Sequence, residues 1–484
     1  MKLLVVGIRS YGAYIPWYRI SRSIIYSAIG FLEKTSTLPG EKSVANYDED
    51  VVTMGVAACM DCLRGVDRHS IDALYFAITT PIFEQRQNAG IVATALNLRS
   101  NIQTADFTGS LKAGTTALIS AYNLVKAGEV ENVLVCASGC CTGKAGGPHE
   151  AIYGDGAAAF IVGKNNIVAT IDGSYSISYD FVDHWRERGE KYDQGWEDRW
   201  IRECGYSKFV VEAISGLAKK YGIKLEDLSK IVYPPIDLRT HYGVGRLLGL
   251  KTEQIQDHML DRVGNTNVAH PLIMLVATLE NLKPDERIIV AGYGSGSDAL
   301  LLRTTPEVEQ IKDKRRGVKK HLSSKSNLNS YEKYVVLRNM LEVEVGRRGE
   351  ETPLISYSVM WRRRKTILGF CGSRCKRCGT PQFPPQIVCV NPDCKTVGEM
   401  EDYCFSDKVG RVLTFTEDHL AYSPIPPNIY GVIDFDEGGR HVLEITDCEV
   451  NTVKVGIPVE MTFRRKYLGK VYNYFWKATP RKFE

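Results

Sequence analysis

The sequence predicts an α/β fold built from a duplicated unit, followed by a small antiparallel β-barrel. Residues 1 to about 305 alternate strand-like apolar runs with amphipathic helix-like runs, and Gly-rich turns separate them. From about 405, runs such as RVLTFTEDHL and HVLEITDCEV alternate apolar and polar residues between turns, which is typical of a small barrel. We therefore expect two halves at 1–165 and 166–305, a polar linker with one surface helix at 306–350, a cysteine-rich segment at 351–404 and the barrel at 405–484.

An internal repeat supports the duplicated unit. Leu111 to Gly139 aligns without a gap with Thr266 to Gly294. In each copy a turn of small residues opens an amphipathic helix, and a lysine-containing turn then leads into a buried strand that closes on glycine. Each copy continues into a second apolar strand, at 154–163 and at 294–303. Generic helix–strand units can share this pattern by chance, but the gapless length favours duplication.

Composition excludes several classes of protein. The 484 residues include 61 basic and 57 acidic side chains, so the net charge is only +4 and no basic tract indicates nucleic-acid binding. No run of about 18 apolar residues occurs, and the N-terminal segment is predicted to be a buried strand rather than a signal peptide. Thirteen cysteines without a secretory signal favour metal ligation in a reducing compartment. We expect a cytoplasmic protein that binds neither nucleic acid nor membrane.

The cysteine-rich segment predicts a structural zinc site. Cys375 and Cys378 form a Cys-x2-Cys knuckle, and Cys389 with Cys394 supplies a second pair. Four thiolates fill the tetrahedral coordination of zinc and leave no open position for catalysis. The second pair has a longer spacing than the usual knuckle, and Cys371 is an alternative ligand.

Four motifs follow one another in the first 305 residues: GDGAAAFIVG at 154–163, DHWRERGEKY at 183–192, GNT at 264–266 and GYGSGSD at 292–298. Together they resemble the 3-hydroxy-3-methylglutaryl-CoA synthase branch of the thiolase superfamily, with β-ketoacyl-ACP synthase III as the next nearest group. The resemblance implies a duplicated, thiolase-like five-layer α/β fold and a CoA thioester as substrate. It also implies that the chain forms a homodimer or a larger complex. Another thiolase-family protein is a possible partner.

The resemblance places a catalytic set from which this sequence departs. In the family, a cysteine at a helix N-terminus attacks the acyl thioester, but that position holds Leu111 in the sequence LKAGT. The family's catalytic glutamate falls on Ile78 or Thr79, with Glu84 a few residues too late, and its histidine falls on Pro234. We therefore expect no cysteine acyl-enzyme.

The corresponding turn of the second copy keeps polar residues. Asn265 and His270 lie there, and His270 has two interpretations: it caps the helix start, or it is a catalytic base, as similarity to a Gly-His-Pro-Leu motif of thiolases implies. Gly292 to Gly296 resembles the loop that approaches the thioester carbonyl. Tyr293 either packs between strands or acts as an acid or base, and the backbone near Leu111 and Gly294 is expected to hold the oxyanion.

Residues 140–153 contain two cysteines that are possible replacement nucleophiles and two secondary candidates. Cys140 and Cys141 follow a strand instead of starting a helix, which favours a structural role over a replacement nucleophile. His149 and Tyr153 lie close to where family members shape the substrate pocket.

The segment 350–484 resembles the zinc-ribbon and OB-fold proteins that accompany thiolases and acyl-CoA synthases. OB-folds elsewhere bind single-stranded nucleic acid, and an arginine-rich stretch beside Trp361 is compatible with that. The association with a thiolase-like part favours a module that braces the acyl-CoA site instead. The residues Arg362, Arg363 and Arg364 are then expected to bind CoA phosphates.

Some thiolase-superfamily members that have lost the cysteine are aldolases, and some of these partner a domain of the zinc-ribbon and OB-fold type. We therefore expect acyl-CoA-dependent cleavage or formation of a carbon–carbon bond, by a lyase or acyltransferase without an acyl-enzyme. Two alternatives stay open: a non-catalytic scaffold subunit of a thiolase or synthase complex, and synthase-type acyl transfer through an unrecognised cysteine. The sequence does not specify the acyl-CoA substrate.

Overall fold

The computed structural model describes residues 5–32, 38–344, 356–468 and 471–483. The chain divides into two compact units. Unit 1 comprises Met1–Asn46, Asp50–Gly90 and Arg99–Met340, and unit 2 comprises Tyr47–Glu49, Ile91–Leu98 and Leu341–Glu484. Among the described helices, none combines the length and the apolar character that crossing a bilayer requires.

The regular elements of the described residues are numbered in chain order. The helices are α1 (Arg22–Ile29), α2 (Val51–Cys62), α3 (Asn88–Ala95), α4 (Ala113–Ala127), α5 (Pro148–Ile152), α6 (Asp198–Trp200), α7 (Ser207–Tyr221), α8 (Leu238–Leu247), α9 (His270–Leu279), α10 (Glu307–Ile311), α11 (Gly317–Ser323), α12 (Tyr331–Leu337), α13 (Tyr357–Arg362) and α14 (Arg364–Ile367). The strands are β1 (Gly7–Tyr14), β2 (Tyr18–Ser21), β3 (Glu41–Val44), β4 (Ala73–Ala77), β5 (Gln103–Phe107), β6 (Asn132–Cys140), β7 (Asp155–Gly163), β8 (Ala169–Ser178), β9 (His184–Trp185), β10 (Gln194–Gly195), β11 (Lys230–Val232), β12 (Arg287–Tyr293), β13 (Gly296–Thr304), β14 (Ser326–Leu328), β15 (Cys371–Cys375), β16 (Pro381–Gln382), β17 (Met400–Cys404), β18 (Gly410–Asp418), β19 (Asn428–Phe435), β20 (Arg440–Glu444), β21 (Pro458–Leu468) and β22 (Val471–Pro480).

The sheet of unit 1 shows the duplication directly. Its strand order is β11-β12-β13-β8-β1-β7-β6-β4-β5. In the first half β6 runs antiparallel to β7 and parallel to β4, and in the second half β12 runs antiparallel to β13 and parallel to β11. The aligned repeat therefore corresponds to α4–β6 and α9–β12. In the described part of the second half, no strand corresponds to β5. A single bridge between Ile231 and Ile255 takes its place.

The helices of unit 1 form layers around the two halves of this sheet. Helix α2 packs on β1, β7 and β6, and α7 packs on β13, β8 and β12. Helices α4 and α9 contact strands of both halves and each other, so they form the central layer. A side chain on Gly114 of α4 would lie 2.7 Å from the Val268 carbonyl oxygen, which shows how closely the two helix starts approach. The result is the predicted five-layer, thiolase-like α/β fold.

The predicted linker is wrong for the described part of 306–350. Residues 306–340 form α10, α11, β14 and α12 within unit 1, where Val318 and Tyr334 are buried and β14 pairs with β2. The prediction was wrong because charged side chains of this segment have buried partners. Arg338, for example, pairs with Asp155 at 2.8 Å. Residues 345–350 lie outside the described residues.

Unit 2 contains two small sheets on the C-terminal side of the chain. Strands β16, β15 and β17 form the cysteine-bearing sheet, and the order β20-β19-β18-β21-β22 forms the larger one. A bridge between Ile445, after β20, and Ala478 of β22 joins the two ends of the larger sheet, which makes it a barrel. Phe370 packs against Phe435 and Trp476 of the barrel, so the cysteine-rich segment and the barrel share one core.

Candidate functional site

The N-terminus of α4 is the position expected for the family nucleophile. Leu111, just before α4, is partly exposed, and its side chain cannot attack a thioester. Lys112 is held by an ion pair of 3.1 Å with Asp298 of β13, and Thr116 donates to the same carboxylate at 2.6 Å. The helix start is thus fixed to the second half of the sheet, and the Leu111 side chain offers no nucleophilic atom there.

Gly294 lies directly against this helix start. A side chain there would come within 2.7 Å of the Leu111 nitrogen and 2.9 Å of the Lys112 nitrogen, so the close approach requires glycine. The Gly294 amide donates to the Gly296 carbonyl at 3.0 Å and is therefore engaged. In the described residues the Leu111 amide has no such partner. Of the two predicted oxyanion donors, the geometry thus leaves the Leu111 amide open.

Tyr293 is buried, with 4% of its surface exposed, and its hydroxyl makes no hydrogen bond within the described residues. Burial and the negative charge of Asp183 raise the pKa of Tyr293. A phenol with a raised pKa stays protonated, so Tyr293 suits a hydrogen-bond or proton donor rather than a base.

His270 is placed at the helix start as predicted, but both of its ring nitrogens face the backbone. Nδ1 accepts from the Thr266 amide at 3.2 Å, and Nε2 donates to the His258 carbonyl at 3.0 Å. The side chain is fully buried, and burial lowers the pKa of His270 to about 4. His270 therefore has no free lone pair that could accept a substrate proton. This favours its interpretation as a structural residue at the helix start over that as a catalytic base. Asn265 is partly exposed, and its Oδ1 accepts from the Asn267 amide at 2.8 Å.

An aspartate–histidine pair that the sequence analysis did not single out lies beside Tyr293. His184 Nδ1 donates to Asp183 Oδ1 at 2.9 Å, and the His184 amide donates to the same oxygen at 2.7 Å. Burial alone would lower the pKa of His184, but the hydrogen bond and charge of Asp183 outweigh it and the pKa is raised. Within the described residues Nε2 of His184 makes no hydrogen bond, and the side chain is 28% exposed. An oriented histidine with one open nitrogen is the arrangement of a general base.

A polar network continues from this pair toward His149 and Tyr153. The Tyr153 hydroxyl donates to Asp193 at 3.0 Å, and Arg186 pairs with the same carboxylate at 3.2 Å. His149 stacks on the Tyr153 ring at 4.8 Å. The predicted secondary candidates therefore lie together, and their partners come from the 183–193 motif.

The residues at the two other expected catalytic positions, and Glu84, make contacts of their own. Ile78 is fully buried, and the carbonyl of Thr79 accepts from Arg186. Glu84 forms an exposed ion pair with Arg188. The Pro234 carbonyl accepts from the Tyr206 hydroxyl at 2.6 Å. Ile78, Thr79 and Pro234 carry neither a carboxylate nor an imidazole, and the Glu84 carboxylate is paired with Arg188.

Cys140 and Cys141 occupy structural positions at the end of β6. Cys141 is buried, its sulfur accepts from the Asn267 side chain at 2.6 Å, and burial raises the pKa of Cys141 to about 12. The sulfur of Cys140 accepts from Arg338 at 3.4 Å. A thiol with such a high pKa is rarely ionised, which makes Cys141 a poor nucleophile.

The four predicted zinc ligands lie together in unit 2. The sulfur atoms of Cys375, Cys378, Cys389 and Cys394 all lie within 4.8 Å of one another. The Cys375–Cys394 distance is 3.8 Å and the Cys378–Cys389 distance is 3.4 Å, close to the separation of about 3.8 Å that tetrahedral Zn–S bonds impose. The donor set therefore fits zinc. Cys371 is not part of it, because its sulfur contacts that of Cys404.

The three predicted CoA-binding arginines lie on the short helices of unit 2. Arg362 ends α13, and Arg364 begins α14 and lies over the ring of Trp361 at 4.0 Å. Arg362 and Arg363 are exposed. Their charges face solvent, and CoA binding by them remains a prediction.

Comparisons with known proteins agree with both parts of the chain. The C-terminal OB-fold domain of ChsH2 matches residues 405–464. The solved structure of MvaS in complex with 3-hydroxy-3-methylglutaryl coenzyme A has a TM-score of 0.62 at 20% identity, over 69% of this chain and 91% of that one. An HMG-CoA synthase complexed with CoA has a TM-score of 0.63 at 19% identity, over 73% and 95%. These structures support the fold.

Curated relatives support the family. The hydroxymethylglutaryl-CoA synthase of Methanopyrus kandleri is 31% identical over 345 residues, which cover 70% of this chain and 98% of that protein. The enzyme of the same name from Methanocaldococcus jannaschii is 31% identical over 347 residues, or 70% and 100%. With this coverage and the shared fold, the chain belongs to the hydroxymethylglutaryl-CoA synthase family.

Proposed function

We propose that this chain catalyses aldol-type cleavage or formation of a carbon–carbon bond in an acyl-CoA thioester, without a cysteine acyl-enzyme. The observation that carries the proposal is the pairing of Asp183 with His184, which provides a base in a chain whose expected positions for the family's three catalytic side chains hold other residues. The CoA thioester is inferred from family membership, since the relatives are named for a CoA thioester.

His184 is the base in this proposal. Asp183 fixes its tautomer with the proton on Nδ1, so Nε2 carries the lone pair that a substrate proton needs. The side chain is 28% exposed, so a substrate can approach the imidazole. His270 lacks such an open nitrogen.

The α4 start is the oxyanion site. The Leu111 amide and the N-terminal end of a 15-residue helix favour negative charge on a thioester oxygen. Substitution of the cysteine by leucine leaves the backbone amides in place. Without the cysteine thiol, no acyl-enzyme can form at this position, but the backbone amides can still stabilise an enolate.

The cleavage direction balances without any further reactant. Nε2 of His184 removes the proton of the β-hydroxyl group, the electron pair of the O–H bond forms the new carbonyl, and the Cα–Cβ bond breaks. Its electrons pass to the thioester as an enolate held at the α4 start. The proton that His184 took up then passes to Cα, which gives the shortened acyl-CoA and releases an aldehyde or ketone.

A mass-spectrometric screen tests the proposal. A set of β-hydroxyacyl-CoA thioesters that includes 3-hydroxy-3-methylglutaryl-CoA is incubated with the protein, and acyl-CoA and carbonyl products are measured. We expect turnover of at least one thioester, and we expect His184→Gln to lower the rate by roughly 10²- to 10⁴-fold. His69→Gln, at an exposed position, is the matched control. Absence of turnover across the set favours a scaffold subunit, and unchanged turnover in His184→Gln removes the assigned base.

The remaining roles follow from unit 2 and from the sheet edge. The four-cysteine cluster is proposed to hold one structural zinc, and Arg362 to Arg364 are proposed to bind CoA phosphates. In the described residues β5 pairs only with β4, which leaves one strand edge open. That open edge supports a homodimer.

A further inference from the structure

Cys371 and Cys404 form a thiol pair separate from the zinc ligands. They are directly opposite each other on the antiparallel strands β15 and β17, and their sulfur atoms are 2.9 Å apart. Cys371 is four residues before Cys375 on the same strand, so the pair lies at one end of the ribbon and the zinc ligands at the other.

The register places the pair where side chains approach most closely. The Phe405 amide donates to the Phe370 carbonyl, and the Lys376 amide donates to the Glu399 carbonyl, both at 2.9 Å. These bonds mark the hydrogen-bonded pairs of the ladder, and counting two residues at a time puts Cys371 and Cys404 at a non-hydrogen-bonded pair. Opposed Cα atoms at such a pair are about 4.5 Å apart, within the range that a disulfide spans.

The two thiols differ in their surroundings. Cys371 is 4% exposed and donates to Asn97 Oδ1 at 3.1 Å, whereas Cys404 is partly exposed. The hydrogen bond with Cys404, together with burial, raises the pKa of Cys371, so that thiol stays protonated. A small oxidant therefore reaches Cys404 first, and Cys371 is placed to resolve the product.

We propose that Cys371 and Cys404 form a reversible disulfide when the protein meets a peroxide. Hydrogen peroxide oxidises the Cys404 thiol to a sulfenic acid and leaves as water. The Cys371 sulfur then attacks the Cys404 sulfur, the S–O bond breaks, and a second water carries away the hydroxyl group and the Cys371 proton. The two sulfurs lose two electrons to the peroxide, and a dithiol reverses the step by exchange.

This bond ties β15 to β17 at the end of the sheet opposite the zinc ligands. Zinc holds β15 through Cys375, and the disulfide holds it through Cys371. A ribbon cross-linked at both ends opens less readily when one cross-link is lost, because the other still restricts the unfolded chain. Oxidation is therefore expected to slow the opening of the ribbon when a chelator removes zinc.

Tryptic mapping tests the pairing without reference to catalysis. Trypsin releases Cys371 in peptide 366–374 and Cys404 in peptide 396–408, and neither peptide contains a zinc ligand. The zinc-loaded full chain is treated with hydrogen peroxide, alkylated with iodoacetamide and digested. We expect a linked 366–374/396–408 peptide that is lighter than the sum of its parts by two hydrogen atoms and that dithiothreitol separates.

Cys404→Ser and Cys371→Ser should each abolish the linked peptide, and Cys448→Ser, at another partly exposed cysteine of unit 2, should retain it. The wild-type map does not depend on how the variants fold. The proposal is overturned if both peptides stay fully alkylatable after peroxide, or if Cys404 proceeds to sulfinic acid while Cys371 remains a thiol. Turnover of acyl-CoA does not enter either result.

Discussion

Asp183 accepts the Nδ1 proton of His184 at 2.9 Å, and this contact orients the side chain that we assign as a base. Because Asp183 raises the pKa of His184, its removal changes both the rate and the pH dependence. We expect Asp183→Asn to lower kcat/KM by roughly 10²- to 10⁴-fold and to move the basic group's inflection in the pH–rate profile to lower pH. Asp180→Asn, at an exposed neighbouring position, is the control. An unshifted profile in Asp183→Asn contradicts the pairing.

Leu111→Cys should restore a thiol at the family's nucleophile position. A thiol at a helix N-terminus has a lowered pKa and is therefore reactive at neutral pH. We expect intact-mass spectra of the variant to show an acetyl adduct after incubation with acetyl-CoA, while the wild type shows none. Leu111→Ser is the control, because serine is similar in size to cysteine but is a weaker nucleophile. A Leu111→Cys protein that reacts no faster with iodoacetamide than a surface cysteine would show that the helix start does not activate this position.

Local patterns predicted most of the fold, because periodicity within one strand or helix is a property of neighbouring residues. The gapless repeat around Leu111 and Thr266 became α4–β6 and α9–β12 for this reason. The segment 306–340 escaped prediction because the partners that bury its charges are distant in sequence: Arg338 and Asp155 are 183 residues apart. Charge composition alone cannot distinguish such a segment from a solvated linker.

The candidate site was predicted less completely. The motif that contains Asp183 and His184 was noted for its resemblance, but the role of His184 depends on which ring nitrogen is bonded and which is open. His270 shows the converse, since its position at a helix start was predicted and the engagement of both nitrogens was not. Hydrogen-bond direction is set by tertiary contacts that sequence spacing does not encode.

His270 should act on stability rather than on catalysis. Burial lowers its pKa to about 4, below the ordinary value of 6.5, so the folded chain keeps it neutral while the unfolded chain takes up a proton. The unfolded state therefore binds more protons between these two values, and the free energy of unfolding falls as pH drops from about 6.5 to about 4, by on the order of 3 kcal/mol for this group. Urea unfolding of His270→Gln at several pH values should show a flatter dependence than the wild type, with His69→Gln unchanged. Loss of turnover in His270→Gln at undiminished stability would instead assign it to catalysis.

Loss of one zinc ligand should release the metal. We expect the wild type to bind about one zinc per chain, and cobalt substitution to give the absorption of a tetrathiolate site. Cys378→Ser should lower the metal content and destabilise unit 2, because three thiolates hold zinc less tightly than four. Cys448→Ser should retain full zinc, since Cys448 is not part of the cluster. Equal zinc content in both variants would argue against the four-cysteine assignment.

Among the ion pairs that involve residues 306–340, the pair of Arg338 should contribute most to the free energy of unfolding. Its guanidinium donates to Asp155 at 2.8 Å, to the Cys141 carbonyl at 2.9 Å and to the Thr142 hydroxyl at 2.9 Å. Arg338 and Asp155 are 6% and 3% exposed, so Arg338→Met leaves a buried carboxylate without its cation and should cost about 3–5 kcal/mol in unfolding free energy.

Two further variants separate charge from geometry at this position. Arg338→Lys keeps the charge, but its single ammonium group cannot reach all four acceptors, the Cys140 sulfur included, so its loss of unfolding free energy should be smaller than that of Arg338→Met but measurable. Arg188→Met removes a pair of similar length, 2.6 Å to Glu84, whose partners are 78% and 51% exposed. Water screens that surface pair, and its removal should change the unfolding free energy by less than about 1 kcal/mol. Urea unfolding of the three variants side by side measures the difference. Equal losses of unfolding free energy in Arg338→Met and Arg188→Met would mean that water reaches the Arg338 site. Residues 306–340 would then be held by their apolar side chains alone.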